Sequence, residues 1–241
     1  MPPEELLNAL RTHLLGAGAY LVSAGDIRML PTEVRHDLPV GISIAVALTP
    51  AIIADITAGP TPVYAQEYER ANRVLDGLGQ ACVAFLAARG YRAVAQQAVS
   101  YQLDRATLST QLPHKTIATR AGLGWIGKCA LLVTETYGSA IRLTSVLTDA
   151  NLPTAAPIDA SRCGDCTACV DVCPGHAPTG QLWQAGLERA DYYDAFACAR
   201  TAKGLASAQG ITHILCGMCM ANCPWTKRYL AKHAAVSADA C

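Results

Sequence analysis

Apolar and polar positions alternate along this chain with two periods. Behind a Pro-Pro start, Leu6, Leu7, Leu10, Leu14 and Leu15 recur at helical spacing, which predicts a helix over residues 2–17. The continuous apolar run from Ile42 to Leu48, closed by Pro50, predicts a buried strand. From Pro62 to Arg89, Tyr64, Tyr68, Val74, Leu75, Leu78, Cys82, Phe85 and Leu86 trace one long amphipathic helix that ends at Gly90. Tyr91 to Val99 reads as a second strand and His114 to Ala121 as a helix. Ala130 to Thr134 and Ile141 to Thr148 read as strands, with Tyr137-Gly138-Ser139 as a turn between them. After Asp149 the character changes. Asn151-Leu-Pro153 and Ala156-Pro157 form a linker, and nine of the eleven cysteines lie beyond it. The pattern predicts an α+β domain over residues 1–155 and a small domain of short helices over residues 156–241.

Composition narrows the class. A chain of 241 residues can bury roughly 70 to 75% of its unfolded surface, so a core is available without metal. Nineteen basic and nineteen acidic side chains cancel, leaving no bulk electrostatic footprint for nucleic acid, which is not expected as a partner. The first residues carry neither a basic segment nor a long apolar one, so no export signal is expected. The most apolar stretch, Val40 to Gly59, is broken by Ser43, Thr49, Pro50 and Asp55 and makes a poor bilayer span. A cytoplasmic protein with no membrane partner is expected. The mean hydropathy of +0.22 suggests large packed faces, an oligomer or a large apolar cofactor.

The cysteines carry the chemistry. Cys163, Cys166, Cys169, Cys173 and Pro174 are spaced C-x2-C-x2-C-x3-C-P, and Cys216, Cys219, Cys223 and Pro224 answer them downstream. The first run is the ligand spacing of bacterial two-cluster ferredoxins, where three thiolates hold one 4Fe-4S cube and the fourth reaches to a second. Structural zinc sites instead pair two short clips around one ion. A disulfide framework suits short secreted chains, and the cysteine count here is odd. Two cubes need one thiolate more than the two runs supply. Aligned on Cys223-Pro224, the missing position is His213, and Cys198 is the natural replacement. The expected partition is Cys163, Cys166, Cys169 and Cys223 on one cube, with Cys173, Cys198, Cys216 and Cys219 on the other. His213 is the alternative eighth ligand, since imidazole replaces thiolate at some iron-sulfur centres. Cys82 reads as a core residue and Cys241 is the last residue.

A second motif is the glycine loop Gly122, Leu123, Gly124, Trp125, Ile126, Gly127, Lys128, Cys129. It formally contains G-x-G-x-x-G and nearly matches a P-loop. Both nucleotide motifs need a strand before the glycines and a helix after them, and here the order is reversed. Cys129 also lacks the hydroxyl that a P-loop offers to Mg2+. Asp149 lies at a ribose-like distance, so a dinucleotide site stays an alternative. The glycines support a backbone that something flat can approach closely, with Trp125 as a wall. A tight helix-to-strand connection would also use them.

In order, HKTIATRAGLGWIGKCALLVT, VLTDANL, CGDCTACVDVCP and CGMCMANCPWTKRYL resemble the epoxyqueuosine reductase family and its short relatives. The likeness is strong over residues 114–230 and weak over the first hundred. It implies a nitroreductase-like cobalamin-binding domain followed by a ferredoxin-like domain with two 4Fe-4S clusters, an architecture related to reductive dehalogenases. It further implies that the clusters feed single electrons to a corrinoid, and that Gly122 to Lys128 help line its site. Members acting on tRNA carry an aspartate-bearing stretch before the glycine loop. Here that region reads Thr107-Leu-Ser-Thr-Gln-Leu-Pro-His114, and no carboxylate occurs between Asp104 and Glu135. The helical-repeat domain of full-length members is not expected, and neither is a tRNA substrate. Cys129, where the family often has Asn or another polar residue, is expected to be buried and inert.

These readings combine into an iron-sulfur reductase acting on a small-molecule substrate, fed by an external electron donor such as ferredoxin or flavodoxin. His114 is the leading proton donor, because its ordinary pKa keeps both protonation states accessible, with Tyr101 as a second catalytic candidate and Asp104 behind it. The chain has no Asp-x-His-x-x-Gly motif, so cobalt is expected to lack a histidine ligand from it. The alternative function is a non-enzymatic ferredoxin-type electron donor to a partner protein. A flavin in place of the corrinoid is a third reading.

Overall fold

The computed structural model describes residues 1–99 and 103–238, with side chains through Ala234. In chain order the elements are α1 (Pro3–Gly16), β1 (Leu21–Asp26), β2 (Val40–Ala47), α2 (Pro50–Ala54), α3 (Pro62–Ala87), β3 (Ala93–Ala95), α4 (His114–Arg120), β4 (Trp125–Ile126), β5 (Leu132–Val133), β6 (Ile141–Thr148), α5 (Ala168–Asp171), α6 (Arg189–Tyr192), α7 (Ala195–Ala208), α8 (Met218–Ala221) and α9 (Pro224–Ala238). They form two compact units, each assembled from separate stretches. The first comprises Met1–Val46, Ala71–Gly124 and Arg142–Ile158. The second comprises Ala47–Arg70, Trp125–Ile141 and the chain from Asp159 onward. The last exit from the first unit lies close to the expected boundary at 155. Residues 47–70 and 125–141, however, join the cysteine-rich unit although they precede that point.

The first unit is built on a four-stranded sheet in the order β1-β2-β6-β3. β1 and β2 pair antiparallel, with Leu21 opposite Ala45 and Asp26 opposite Val40. β2 is buried along its whole length, which its uninterrupted apolar run requires. The stripe of α1 buries Leu6, Leu7, Leu10 and Leu14, while Leu15 stays 48% exposed and belongs to the outer face. Ile27, Leu38, Leu112, Ile117 and Leu147 form one core cluster. The strand expected over Tyr91–Val99 shrinks to Ala93–Ala95, paired antiparallel with β6. Beyond it, side chains replace the ladder: the Ala98 amide donates to Asp76 and the Gln97 carbonyl accepts from His114.

The second unit has little regular structure besides helices. Its only ladder among the described residues is the β4–β5 hairpin, Trp125 opposite Val133. α2, α8 and α9 pack on one another, and α5 packs on α8. Tyr229 of α9 donates to the Leu48 carbonyl at 2.8 Å and receives the edge of Tyr137. Burial works against the charge of Glu67, yet Arg70 and the Thr49 amide and hydroxyl hold its carboxyl below the ordinary range. That network fixes the start of α2, whose N-cap is Thr49. Among the described residues no helix is long and apolar enough to cross a membrane.

Candidate iron-sulfur centres

The two cysteine runs fold alike. Cys169 is the second residue of α5 and Cys219 the second residue of α8, and these two four-residue helices pack together. Each is followed by Cys-Pro, so the chain turns out of the helix at Cys173 and at Cys223, where proline cannot continue the preceding hydrogen-bond pattern. The turn at Cys223-Pro224 opens α9.

Electrostatic interactions link several of these thiols. Cys223 faces Cys163 and Cys169, from the first run. Cys216 faces Cys198 and Cys173, and Cys198 faces Cys173. Cys198 is presented by the first turn of α7, whose N-cap Asp194 accepts from the Phe196 and Ala197 amides. His213, the alternative eighth ligand, instead meets Glu69 at 2.8 Å on the surface.

Donors already point at these sulfurs. The Ala177 amide lies 3.4 Å from Cys173 Sγ, the Met218 amide serves Cys216, and the Trp225 and Thr226 amides serve Cys223. Tyr193 hydrogen-bonds Cys198, and burial pushes its hydroxyl far above the ordinary range. Such donors stabilise thiolate and sulfide charge. Burial raises Cys198, Cys216 and Cys223 as free thiols, so iron must displace their protons on binding. All ten described cysteines are free. Among the described residues no three metal-binding side chains converge on a single ion. One zinc would need its sulfurs within about 2.3 Å of the metal, whereas a cube spreads its ligands over four corners. The donor set fits two cubes.

The glycine loop follows α4 and leads into β4. Gly122 has φ +65 and lies so close to the chain that a Cβ would sit 2.8 Å from the Ala156 carbonyl. Gly122 and Leu123 keep part of their surface open, whereas Gly124, Trp125, Ile126, Gly127 and Lys128 are buried. The tip of the β4–β5 hairpin is pressed onto the cysteines. A Cβ on Gly127 would stand 3.7 Å from Cys163 Sγ. Lys128 Nζ donates to the Cys166 carbonyl at 2.9 Å, and its charge acts on Cys169. The Cys129 thiol interacts with Cys169 and Cys219, and its pKa lies well above the ordinary thiol value. Trp125 is fully buried, edge-on to Trp225 and beneath Arg162, residues that adjoin Cys223 and Cys163. Its Nε1 has no partner within the protein. A buried N–H needs an acceptor, and a bound cluster would offer one in its sulfides.

His114 and Asp104 belong to the first unit. His114 begins α4 in the first unit, with Nε2 donating to the Gln97 carbonyl at 2.9 Å and Nδ1 3.0 Å from the Ser145 hydroxyl. The carbonyl can only accept, so Nε2 carries a proton. Burial, helped by Arg142, lowers its pKa. Tyr101 lies outside the described residues. Asp104 accepts from the Ala106 amide and the Thr107 hydroxyl, which hold it ionised. Cys82 is fully buried, and burial pushes its thiol up to about 12. The contacts of Cys129, Tyr193 and Trp225 were not legible in the sequence, because no spacing rule ties them to the runs.

Residues 162–226 match the 4Fe-4S double cluster binding domain family. The chain is similar in sequence to epoxyqueuosine reductases. It is 38% identical to that of Bacillus anthracis over 76 residues, which cover 32% of this chain and 19% of the relative. With that of Pseudomonas aeruginosa it shares 29% identity over 170 residues, 67% of this chain and 44% of the relative. These matches span less than half the length of either relative. Two solved structures share the fold at 17% identity. One is a catabolic reductive dehalogenase in complex with 3-bromo-4-hydroxybenzoic acid, with a TM-score of 0.71 over 93% of this chain and 32% of the other. The second is an epoxyqueuosine reductase with an epoxyqueuosine-modified tRNA-Tyr stem loop, with a TM-score of 0.63 over 92% of this chain and 66% of the other.

Proposed function

We propose that this chain is an iron-sulfur reductase whose two 4Fe-4S clusters pass single electrons, received from an external donor such as ferredoxin or flavodoxin, to a bound corrinoid that reduces a small substrate. The supporting observation is the extent of the fold likeness. It covers 93% of the chain, far beyond the cysteine-rich segment, and one of the reductive dehalogenase structures is described in terms of B12-dependent dehalogenation. A plain electron carrier has no need of the sheet-bearing unit. The balance of nineteen basic and nineteen acidic side chains offers no bulk attraction to a phosphate backbone, which favours a small substrate over tRNA.

A corrinoid, when bound, supplies the cobalt chemistry that no side chain can perform. The residues of this chain bind, orient and wire. Gly122 and Leu123, the partly open part of the glycine loop, are its candidates for corrinoid contact. Trp125, Ile126, Gly127 and Lys128 serve the cysteine side, where the Lys128 ammonium offsets cluster charge. His114 keeps its Nε2 proton committed to a backbone carbonyl, so we assign it to holding the segment around Gln97 rather than to proton delivery.

Anaerobic reconstitution with iron, sulfide and hydroxocobalamin tests the reading by visible absorption and by cobalt content. One corrinoid per chain is expected. A well-folded sample with both clusters that takes up no corrinoid sinks it, and leaves the electron donor as the function.

A further inference from the structure

We propose, on the reading of the eight cysteines as ligands of two clusters, that the indole N–H of Trp125 donates a hydrogen bond to a sulfur of the cluster held by Cys163, Cys166, Cys169 and Cys223, and raises the reduction potential of that cluster alone.

An unpaired donor carries it. Among the described residues, three buried side-chain atoms lack a hydrogen-bond partner: Ser43 Oγ, Gln96 Oε1 and Trp125 Nε1. Ser43 and Gln96 belong to the sheet-bearing unit, and Trp125 to the cysteine-rich one. The indole is fully buried, so bulk water does not reach it. Its neighbours cannot serve it either. The Trp225 ring stands at 5.1 Å and 75° and the Arg162 guanidinium at 5.6 Å, and both side chains carry N–H donors with no lone-pair acceptor. Val133, paired opposite Trp125, is apolar.

Strand geometry sets the side on which the ring lies. The Gly127 amide donates to the Leu131 carbonyl, which extends the β4–β5 register by one pair, so residues 125 and 127 share a face of the hairpin. A Cβ on Gly127 would stand 2.9 Å from Val133 Cγ2, on that same face, and 3.7 Å from Cys163 Sγ. Trp125 therefore leaves the hairpin on the side that meets Cys163. Trp225, its ring partner, is two residues from Cys223. Cys163 and Cys223 belong to the same expected ligand set. An N–H placed there meets cluster sulfur, whose negative charge grows on reduction, and a donor to that sulfur favours the reduced state.

Trp125→Phe keeps an aromatic ring and removes the N–H, and it tests this in the full chain reconstituted anaerobically. Iron for both cubes is expected to remain. The reduction equilibrium of one cluster is expected to fall about tenfold, equivalent to about 59 mV for a one-electron couple, with the other unmoved, as read by redox titration followed by electron paramagnetic resonance. Unmoved potentials overturn the proposal, and so do equal shifts in both clusters. A second readout sees the bond itself. With the indole nitrogens of the three tryptophans isotopically labelled, electron spin echo modulation of the reduced parent is expected to show coupling to the label. Its absence overturns the proposal and leaves the N–H to the weak acceptor face of the Trp225 ring. Should Trp125→Phe fail to fold or to load, Trp183→Phe and Trp225→Phe assign the coupling: it persists in both if Trp125 is the donor, and its loss in either overturns the proposal. A parent protein that never holds two cubes defeats the cluster reading instead.

Discussion

Cys198 and His213 stand fifteen residues apart and qualify equally on chemistry, but their neighbours separate them. Cys198 faces Cys173 and Cys216, whereas His213 is engaged with Glu69. Replacing Cys198 by Ala is therefore expected to remove about half the iron of the reconstituted protein, because one cube loses a corner ligand. His213→Ala is expected to retain it all, and iron assay with sulfide assay checks both. The Lys128 ammonium, buried beside Cys166, favours the reduced, more negative cluster. Lys128→Met is expected to move one cluster to a more negative potential by roughly 59 mV, a tenfold change in its reduction equilibrium, as read by redox titration. His114 predicts a pH dependence of stability. In the unfolded chain the imidazole titrates at its ordinary 6.5, and in the fold burial holds it lower. Between those two values the unfolded state binds more protons. The stability from neutral His114 is thus complete above pH 6.5 and is lost as pH falls through 6.5 toward the lower folded value. Thermal melts above and below pH 6.5 should show the decline in the parent, and a flatter profile in His114→Gln.

Elements with a strong period were legible from sequence: α1, β2, α3, α4 and β6 fall within a few residues of where apolar spacing and Gly90 or Pro50 put them. β1 escaped, because Leu21-Val-Ser-Ala-Gly-Asp26 is short and mixed, and it becomes a strand through pairing with β2. β3 was overread, since a run of β-formers does not reveal where side chains take over the backbone bonds. At the candidate site, the double-cluster character of the cysteine runs could be read, because ligand spacing is a local property. The hairpin tip could not. Its glycines resemble a phosphate loop, and only the fold shows that Gly127, Lys128 and Cys129 press on Cys163, Cys166, Cys169 and Cys219. Long-range docking of α9 was equally silent in the sequence. Tyr229→Phe removes its bond to the buried Leu48 carbonyl, and a loss of about 1 kcal/mol is expected from chemical denaturation.

At the scale of the molecule the two units differ in what holds them. The first owns the four-stranded sheet and the cluster of Ile27, Leu38, Leu112, Ile117 and Leu147. The second relies on short helices, three of four residues, gathered around thiols. Metal binding is folding free energy where the site does not otherwise preform. Chelation of iron is therefore expected to abolish hydrogen-exchange protection in residues 47–70, 125–141 and 159–230, while β2 and β6 keep theirs. Protection lost equally in both sets would mean that the units fold as one. The chain changes unit at five points, after Val46, Arg70, Gly124, Ile141 and Ile158, so no single cut releases either part as a continuous fragment. The same interleaving orders events on the ribosome. Every segment of the sheet-bearing unit, ending at Ile158, is synthesised before Cys163, the first ligand thiol. The sheet can close while the nascent chain still carries no metal ligand, and cofactor insertion must wait until Cys223 clears the exit tunnel.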